Sequence, residues 1–136
     1  MFLVDTNVIS EARKGAKANL GVKQFFKETD ADELYLAVQT IGEIRRGLES
    51  IRYRGDLPQT RKLAAWLDGL VHEFADKILT FDEECAQVWG RLMSPHPQHA
   101  IDKQIAAIAL IHDLTVVTRN VDDFRGTGVV IKNPFI

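Results

Sequence analysis

The first five residues constrain the fold more than any other stretch. Phe2-Leu3-Val4 runs without a polar break into Asp5, and the chain then continues as Thr6-Asn7. A short apolar run that does not alternate fits a strand covered on both faces, as in a parallel sheet between helices. Asp5 then falls at the carboxyl end of that strand, on the edge where open α/β sheets bind ligands. An Asp before Thr-Asn also makes a good helix N-cap, so both roles stand open. What separates them is whether other acidic residues reach the same edge.

The rest of the chain repeats the strand–helix alternation. Leu34-Tyr35-Leu36-Ala37-Val38 and Leu114-Thr115-Val116-Val117-Thr118 read as further buried strands, and Gly128-Val129-Val130-Ile131 as a last short one. Ile78-Leu79-Thr80-Phe81 is a short apolar segment of extended type. Apolar residues at helical spacing mark the stretches between: Val8 into the basic run Arg13–Lys17, Leu20–Phe26 capped by Asn19, Thr40–Ile51, Thr60–Phe74, Met93 back to the cap Asp82, and Ile101–His112. Arg52–Pro58 reads as a loop, and Ser94-Pro95-His96-Pro97-Gln98-His99 cannot continue a helix because each proline lacks a donor and fixes φ. The reading is an α/β fold, a parallel β-sheet flanked by α-helices on both sides. With 136 residues and no linker or repeat, it is a single domain.

Composition narrows the setting. Hydrophobic residues are 46% and charged residues 26% of the chain, with a formal net charge of −2, so a nucleic-acid surface must be local rather than a property of bulk charge. No apolar stretch approaches the ~20 residues a membrane span needs, and the N-terminus does not read as a signal peptide. The one cysteine, Cys85, leaves no internal disulfide and no cysteine-built zinc site. It reads as buried filler in a reducing, cytoplasmic protein.

Strand ends and the helix starts that follow them share one edge of a parallel sheet, which brings Asp5, Glu43, Asn120 and Asp123 together. Asp102 opens a helix that precedes a strand, so it joins them only if the proline-rich loop climbs back to that edge. Converging carboxylates raise one another's pKa or bind a cation. Oxygen donors without sulfur favour Mg²⁺ or Mn²⁺ over zinc, and such ions activate water for attack on phosphate esters. Each residue also has an ordinary role open to it. Thr40-x-x-Glu43 has the form of a capping box, Asp102 suits a helix N-terminus, and Asp123 can close a turn.

Four motifs occur in order: Val4-Asp5-Thr6-Asn7-Val8-Ile9-Ser10, Gly42-Glu43-Ile44-Arg45-Arg46-Gly47, Asp102 ahead of Ile105-Ala106-Ala107-Ile108-Ala109, and Thr118-Arg119-Asn120-Val121-Asp122-Asp123-Phe124. Asn133-Pro134-Phe135 follows near the end. In these motifs the chain resembles PIN-domain ribonucleases of the VapC toxin type, close to the FitB-like subgroup, over essentially its whole length. The resemblance implies a PIN-domain fold over residues 1–136, an acidic pocket for Mg²⁺ or Mn²⁺, and endonucleolytic hydrolysis of RNA by metal-activated water that leaves a 3′-hydroxyl. Residue by residue, it puts Asp5, Glu43 and Asp102 at the core acidic positions, with Asp5 and Asp102 as the direct metal ligands. The fourth acidic position falls to Asp123 with Asn120 as its polar partner, or with the two exchanged. Glu43, Asp123 and Asn120 then act on the metal through water, and Thr6 and Thr118 orient the acids. The resemblance further implies a homodimer and a cognate antitoxin of the VapB or FitA type that covers the pocket. DNA is reached only through that antitoxin, and no membrane is involved.

An acidic pocket repels RNA, so positive charge is expected at its rim. Arg13, Lys14, Arg46 and Arg119 are the RNA-binding candidates, though each also reads as an ordinary solvated charge. His96 and His99 lie on no helix face and read as exposed loop residues rather than metal ligands. Phe25, Phe26 and Trp66 exceed what one sheet face needs and are assigned in part to an interface. The alternatives are a non-catalytic PIN-like module that binds RNA or protein, and a phosphoacceptor receiver. A receiver needs an acidic pair after strand one, where this chain has a single Asp.

Overall fold

The computed structural model describes residues 1–136. Five parallel strands form its sheet: β1 (Phe2–Val4), β2 (Leu34–Ala37), β3 (Ile78–Leu79), β4 (Thr115–Val117) and β5 (Ile131–Lys132). Their order is β3-β2-β1-β4-β5, so the chain builds outward from β1 in one direction and then returns to its other side. That reversal makes the carboxyl end of β1 a topological switch point, where neighbouring connections diverge and leave a crevice. Register is fixed across the centre, with Phe2, Leu3 and Val4 opposite Thr115, Val116 and Val117.

The non-alternating run at the N-terminus is explained by burial on both faces. Val4 packs with Val8, Val22, Phe25, Leu48 and Leu67 in one core layer, while Leu3 packs with Cys85, Ile105, Ile108 and Phe124 in the other. The first layer is closed by α1 (Thr6–Ala12), α2 (Leu20–Glu28), α3 (Val38–Tyr53) and α4 (Leu57–Glu73). The second is closed by α5 (Glu83–Leu92), α6 (Ala100–His112) and the short α7 (Val121–Phe124). Cys85 is buried, and burial pushes its thiol pKa up, as suits apolar filler. No helix is long and apolar enough to cross a membrane.

Several boundaries differ from the sequence reading for identifiable reasons. β2 passes into α3 at Val38 with no loop, two residues ahead of the expected Thr40 start, and the N-cap Ala37 offers no side-chain bond. α4 starts at Leu57 rather than Thr60, because Asp56 accepts the Gln59 amide at 3.1 Å and Pro58 fits the first turn. The last strand is displaced to Ile131–Lys132, beyond Gly128 and its positive φ of 90°. Leu20 and Ile101, which share the helical spacing of the inward-facing residues, stand exposed in the first turns of α2 and α6. Phe25 is core instead of interface, with Phe2 and Phe26 edge-on at 5.3 and 5.2 Å. Phe26 and Trp66 are only partly buried against the same core.

The tail after β5 is held by α2. Asn19 caps α2 through the amides of Gly21 and Val22, and the same Oδ1 accepts the Ile136 amide at 3.2 Å. Gly21 permits this approach, because a Cβ there would lie 2.0 Å from the Pro134 carbonyl oxygen.

Candidate active site

Asp5 is reached from the sheet and leaves through a helix. Its backbone N–H donates to the Val117 carbonyl at 2.9 Å, extending the β1–β4 ladder. Its Oδ1 accepts the Thr6 amide at 2.9 Å as the N-cap of α1. Oδ2 accepts the Thr118 hydroxyl at 2.7 Å and the Asn7 side-chain amide at 3.2 Å, with the residue only 3% exposed. The cap and the edge position therefore belong to one carboxylate.

Thr118 has no spare valence. Its hydroxyl donates to Asp5 and accepts from Asn7 Nδ2 at 3.3 Å and from the Asn120 backbone N–H at 3.0 Å. Asn7 Oδ1 in turn accepts the Arg119 amide at 3.0 Å. These bonds lock the turn after β4 onto the turn after β1.

Glu43 lies past the first turn of α3, and the Thr40–Glu43 capping box does not form. Glu43 Oε1 instead accepts the Thr6 hydroxyl at 2.6 Å, with the buried Thr40 hydroxyl 3.2 Å from Thr6. The geometry that looked local in sequence links α3 to the start of α1.

Asp102 sits in the first turn of α6, whose start is fixed by the Trp89 indole N–H donating to the Ala100 carbonyl at 3.0 Å. The proline-containing loop does return the chain to the acidic edge. Ligand-type atoms of Asp102, Asp123 and His99 all lie within 4.8 Å of one another. His99 Nε2 is 3.6 Å from Asp123 Oδ1. His99 is thus beside the acids and not the plain exposed loop residue that its sequence context suggests. Its only signal was its position three residues ahead of Asp102. Asn7 was equally uncredited, although Asp-Thr-Asn already put it one turn from the edge.

The electrostatics follow from the crowding. The Asp102 pKa is pushed up to about 7, first by burial, then by the charges of Asp5, Asp123 and Glu43, and by a hydrogen bond with Asp123. Asp5 is also raised by burial, against the opposing pull of its bonds from Thr118, Thr6 and Asn7, with the Asp123 charge adding to the rise. Near neutral pH such a group must keep protons or take a cation. Clustered carboxylate oxygens suit a hard divalent cation.

The remaining candidates divide by position. Asn120 joins the network through its backbone N–H, and its side chain caps nothing in α7. Arg46 is exposed on α3, one turn beyond Glu43. The Arg119 guanidinium lies 4.9 Å from the centre of the Phe135 ring. Arg13 and Lys14 follow the far end of α1, where Arg13 stacks 5.6 Å over Trp66 and Lys14 pairs with Glu11 at 2.8 Å. They do not stand at the acidic edge. A concavity of about 1010 Å³ lies over α2 and the tail, and none of the four acids lines it.

Comparison with known proteins places this geometry. The PIN domain family model matches residues 2–129. Toxin FitB of Neisseria gonorrhoeae is 31% identical over 149 residues, covering 99% of each chain. VapC ribonuclease Y4jK of Sinorhizobium fredii is 29% identical over 144 residues, covering 99% of this chain and 98% of that protein. Among solved structures, FitAcB from Neisseria gonorrhoeae superimposes with a TM-score of 0.87 at 32% identity, covering 98% of each chain. FitAB bound to an IR36 DNA fragment gives 0.83 at 30% identity, covering 98% of this chain and 95% of that one.

Proposed function

The chain belongs to the PIN-domain family, and on that premise we propose that it is a Mg²⁺- or Mn²⁺-dependent endoribonuclease, the toxin of a toxin–antitoxin pair. The observation that carries the reading is the cluster at the start of α6, where donor atoms of Asp102, Asp123 and His99 lie within 4.8 Å of one another and the charges of Asp5, Asp123 and Glu43 act on Asp102. A carboxylate in that position gains from a bound divalent cation, which neutralises the repulsion. Asp5 and Asp102 are the residues assigned to hold the ion, with Asp123 and Glu43 acting alongside through water. When bound, the ion polarises the phosphodiester and lowers the pKa of water.

The chain's own residues do the rest. Thr118 and Asn7 keep Asp5 Oδ2 turned to the edge, and Thr6 does the same for Glu43 Oε1. Glu43 Oε2 is free to accept the proton released as water attacks phosphorus. The bond to the 3′-oxygen breaks, and that oxygen leaves as a hydroxyl after taking a proton from solvent. Arg46 and Arg119 offset the repulsion between the acids and the RNA backbone. The protein acts as a homodimer whose antitoxin resembles FitA or VapB and sets a cationic side chain among the acids. Contact with operator DNA runs through that antitoxin.

The test is incubation of antitoxin-free protein with total RNA, in Mg²⁺ or EDTA, beside Asp5→Asn. Discrete fragments that require the metal and disappear in the variant support the reading. Cutting that persists in EDTA or in Asp5→Asn contradicts it. RNA binding without cutting in any condition supports the non-catalytic module instead.

A further inference from the structure

His99 is the one nitrogen ligand among the acids, and nothing in the oxygen-only scheme above uses it. It turns the chain into α6 through a left-handed conformation, φ 56° and ψ 50°. Its Nε2 stands 3.6 Å from Asp123 Oδ1, and the imidazole, Asp102 and Asp123 offer donor atoms within 4.8 Å of one another. Two donors on opposite sides of one ion stand about 4.2 Å apart for bonds of ~2.1 Å, so small side-chain rotations close the set. The His99 side chain is 51% exposed and is free to make such a rotation. The imidazole reaches Asp102 and Asp123 from the loop that precedes α6.

We propose that His99 supplies an imidazole ligand to a divalent ion shared with Asp102 and Asp123, biasing the site toward Mn²⁺ and away from Mg²⁺. The proposal rests on the metal-dependent reading above. Mg²⁺ takes oxygen donors and keeps its waters, whereas divalent first-row transition ions take an imidazole more readily, Mn²⁺ the least of them. The competing account is a plain ion pair between protonated His99 and Asp123, with no nitrogen on any metal.

Pulsed electron paramagnetic resonance on the whole protein loaded with Mn²⁺ separates the two. Direct coordination gives ¹⁴N modulation from the imidazole in the wild type. That modulation vanishes in His99→Gln and survives in His96→Gln. His99→Asn, which tolerates the left-handed backbone, gives the same loss if folding of the glutamine variant is compromised. In parallel titrations, His99→Gln weakens Mn²⁺ by at least about tenfold, judging from the effect of even outer-sphere partners. Mg²⁺ affinity stays near its wild-type value. Bound Mn²⁺ without ¹⁴N modulation overturns the His99 assignment while leaving the acidic metal site in place. Failure of Mn²⁺ to bind at all overturns both.

Discussion

Asp5 shows how one side chain can cap a helix and hold an oxygen at the acidic edge together. One oxygen caps α1, and the other is held by Thr118 and Asn7. The Thr118 hydroxyl is the hinge of that arrangement. Thr118→Val removes one of the two side-chain bonds to Asp5 Oδ2 and leaves the Asn120 N–H without its partner, and is expected to cost about 1–3 kcal/mol of stability. Urea unfolding of Thr118→Val beside Thr118→Ser checks this, with serine, which keeps the hydroxyl, recovering most of the lost stability. Asp102 gives a second residue-scale prediction. Its folded pKa of about 7 exceeds the ordinary 3.8, so the folded state binds more protons than the unfolded one between those values. Stability of metal-free protein is therefore full below the lower value and is lost as pH rises through about 7. Asp5 is raised as well and acts in the same direction. Melting temperature in EDTA should fall across that window, and Mg²⁺ should remove the fall. A flat profile in EDTA would show that Asp102 is not held among like charges.

At the scale of elements, legibility depended on whether the cause was local. The apolar strands, the Asn19 and Asp82 caps and the helix stripes were readable, because a few neighbouring residues determine them. Glu43 was readable as an acid at the edge, but its partner was misread. Thr40-x-x-Glu43 has the spacing of a capping box, yet β2 runs into α3 without a loop and the helix has already begun at Val38. Thr40 and Glu43 then turn to Thr6, a residue 37 positions from Glu43, which no local pattern reveals. His99 was missed for the same reason: its partner Asp123 comes from another helix. The contact of α2 with the tail is equally invisible in sequence. Gly21→Ala forces a methyl against the Pro134 carbonyl and is expected to cost about 1–3 kcal/mol. Equilibrium unfolding measures it, and Gly42→Ala, where a Cβ meets nothing within 4 Å, is the control.

At the scale of the whole molecule, strand order explains why a chain of net charge −2 concentrates acids at one place. β1 is central, its neighbours on the two sides belong to different halves of the chain, and their following turns meet over Asp5. The basic residues sort by the same architecture. Arg46 lies one turn beyond Glu43 on α3, and Arg119 is tied through its backbone to Asn7 with its guanidinium over Phe135, whereas Arg13 stacks on Trp66 beyond the far end of α1. RNA binding by a cleavage-dead Asp5→Asn protein should therefore lose about 0.7 from its salt slope for each phosphate contact removed by Arg46→Ala or Arg119→Ala. Arg13→Ala should leave the slope unchanged. Equal slopes for all three variants would mean that the rim is not where RNA is held.

The most direct measurement is the rate at which one RNA is cut by metal-stripped protein as Mg²⁺ is added back, with Asp102→Asn in parallel. Metal-dependent hydrolysis at these acids gives no cutting without metal, a rate that rises with Mg²⁺ to saturation, and no recovery in the variant. A rate independent of Mg²⁺, or one retained by Asp102→Asn, would contradict it.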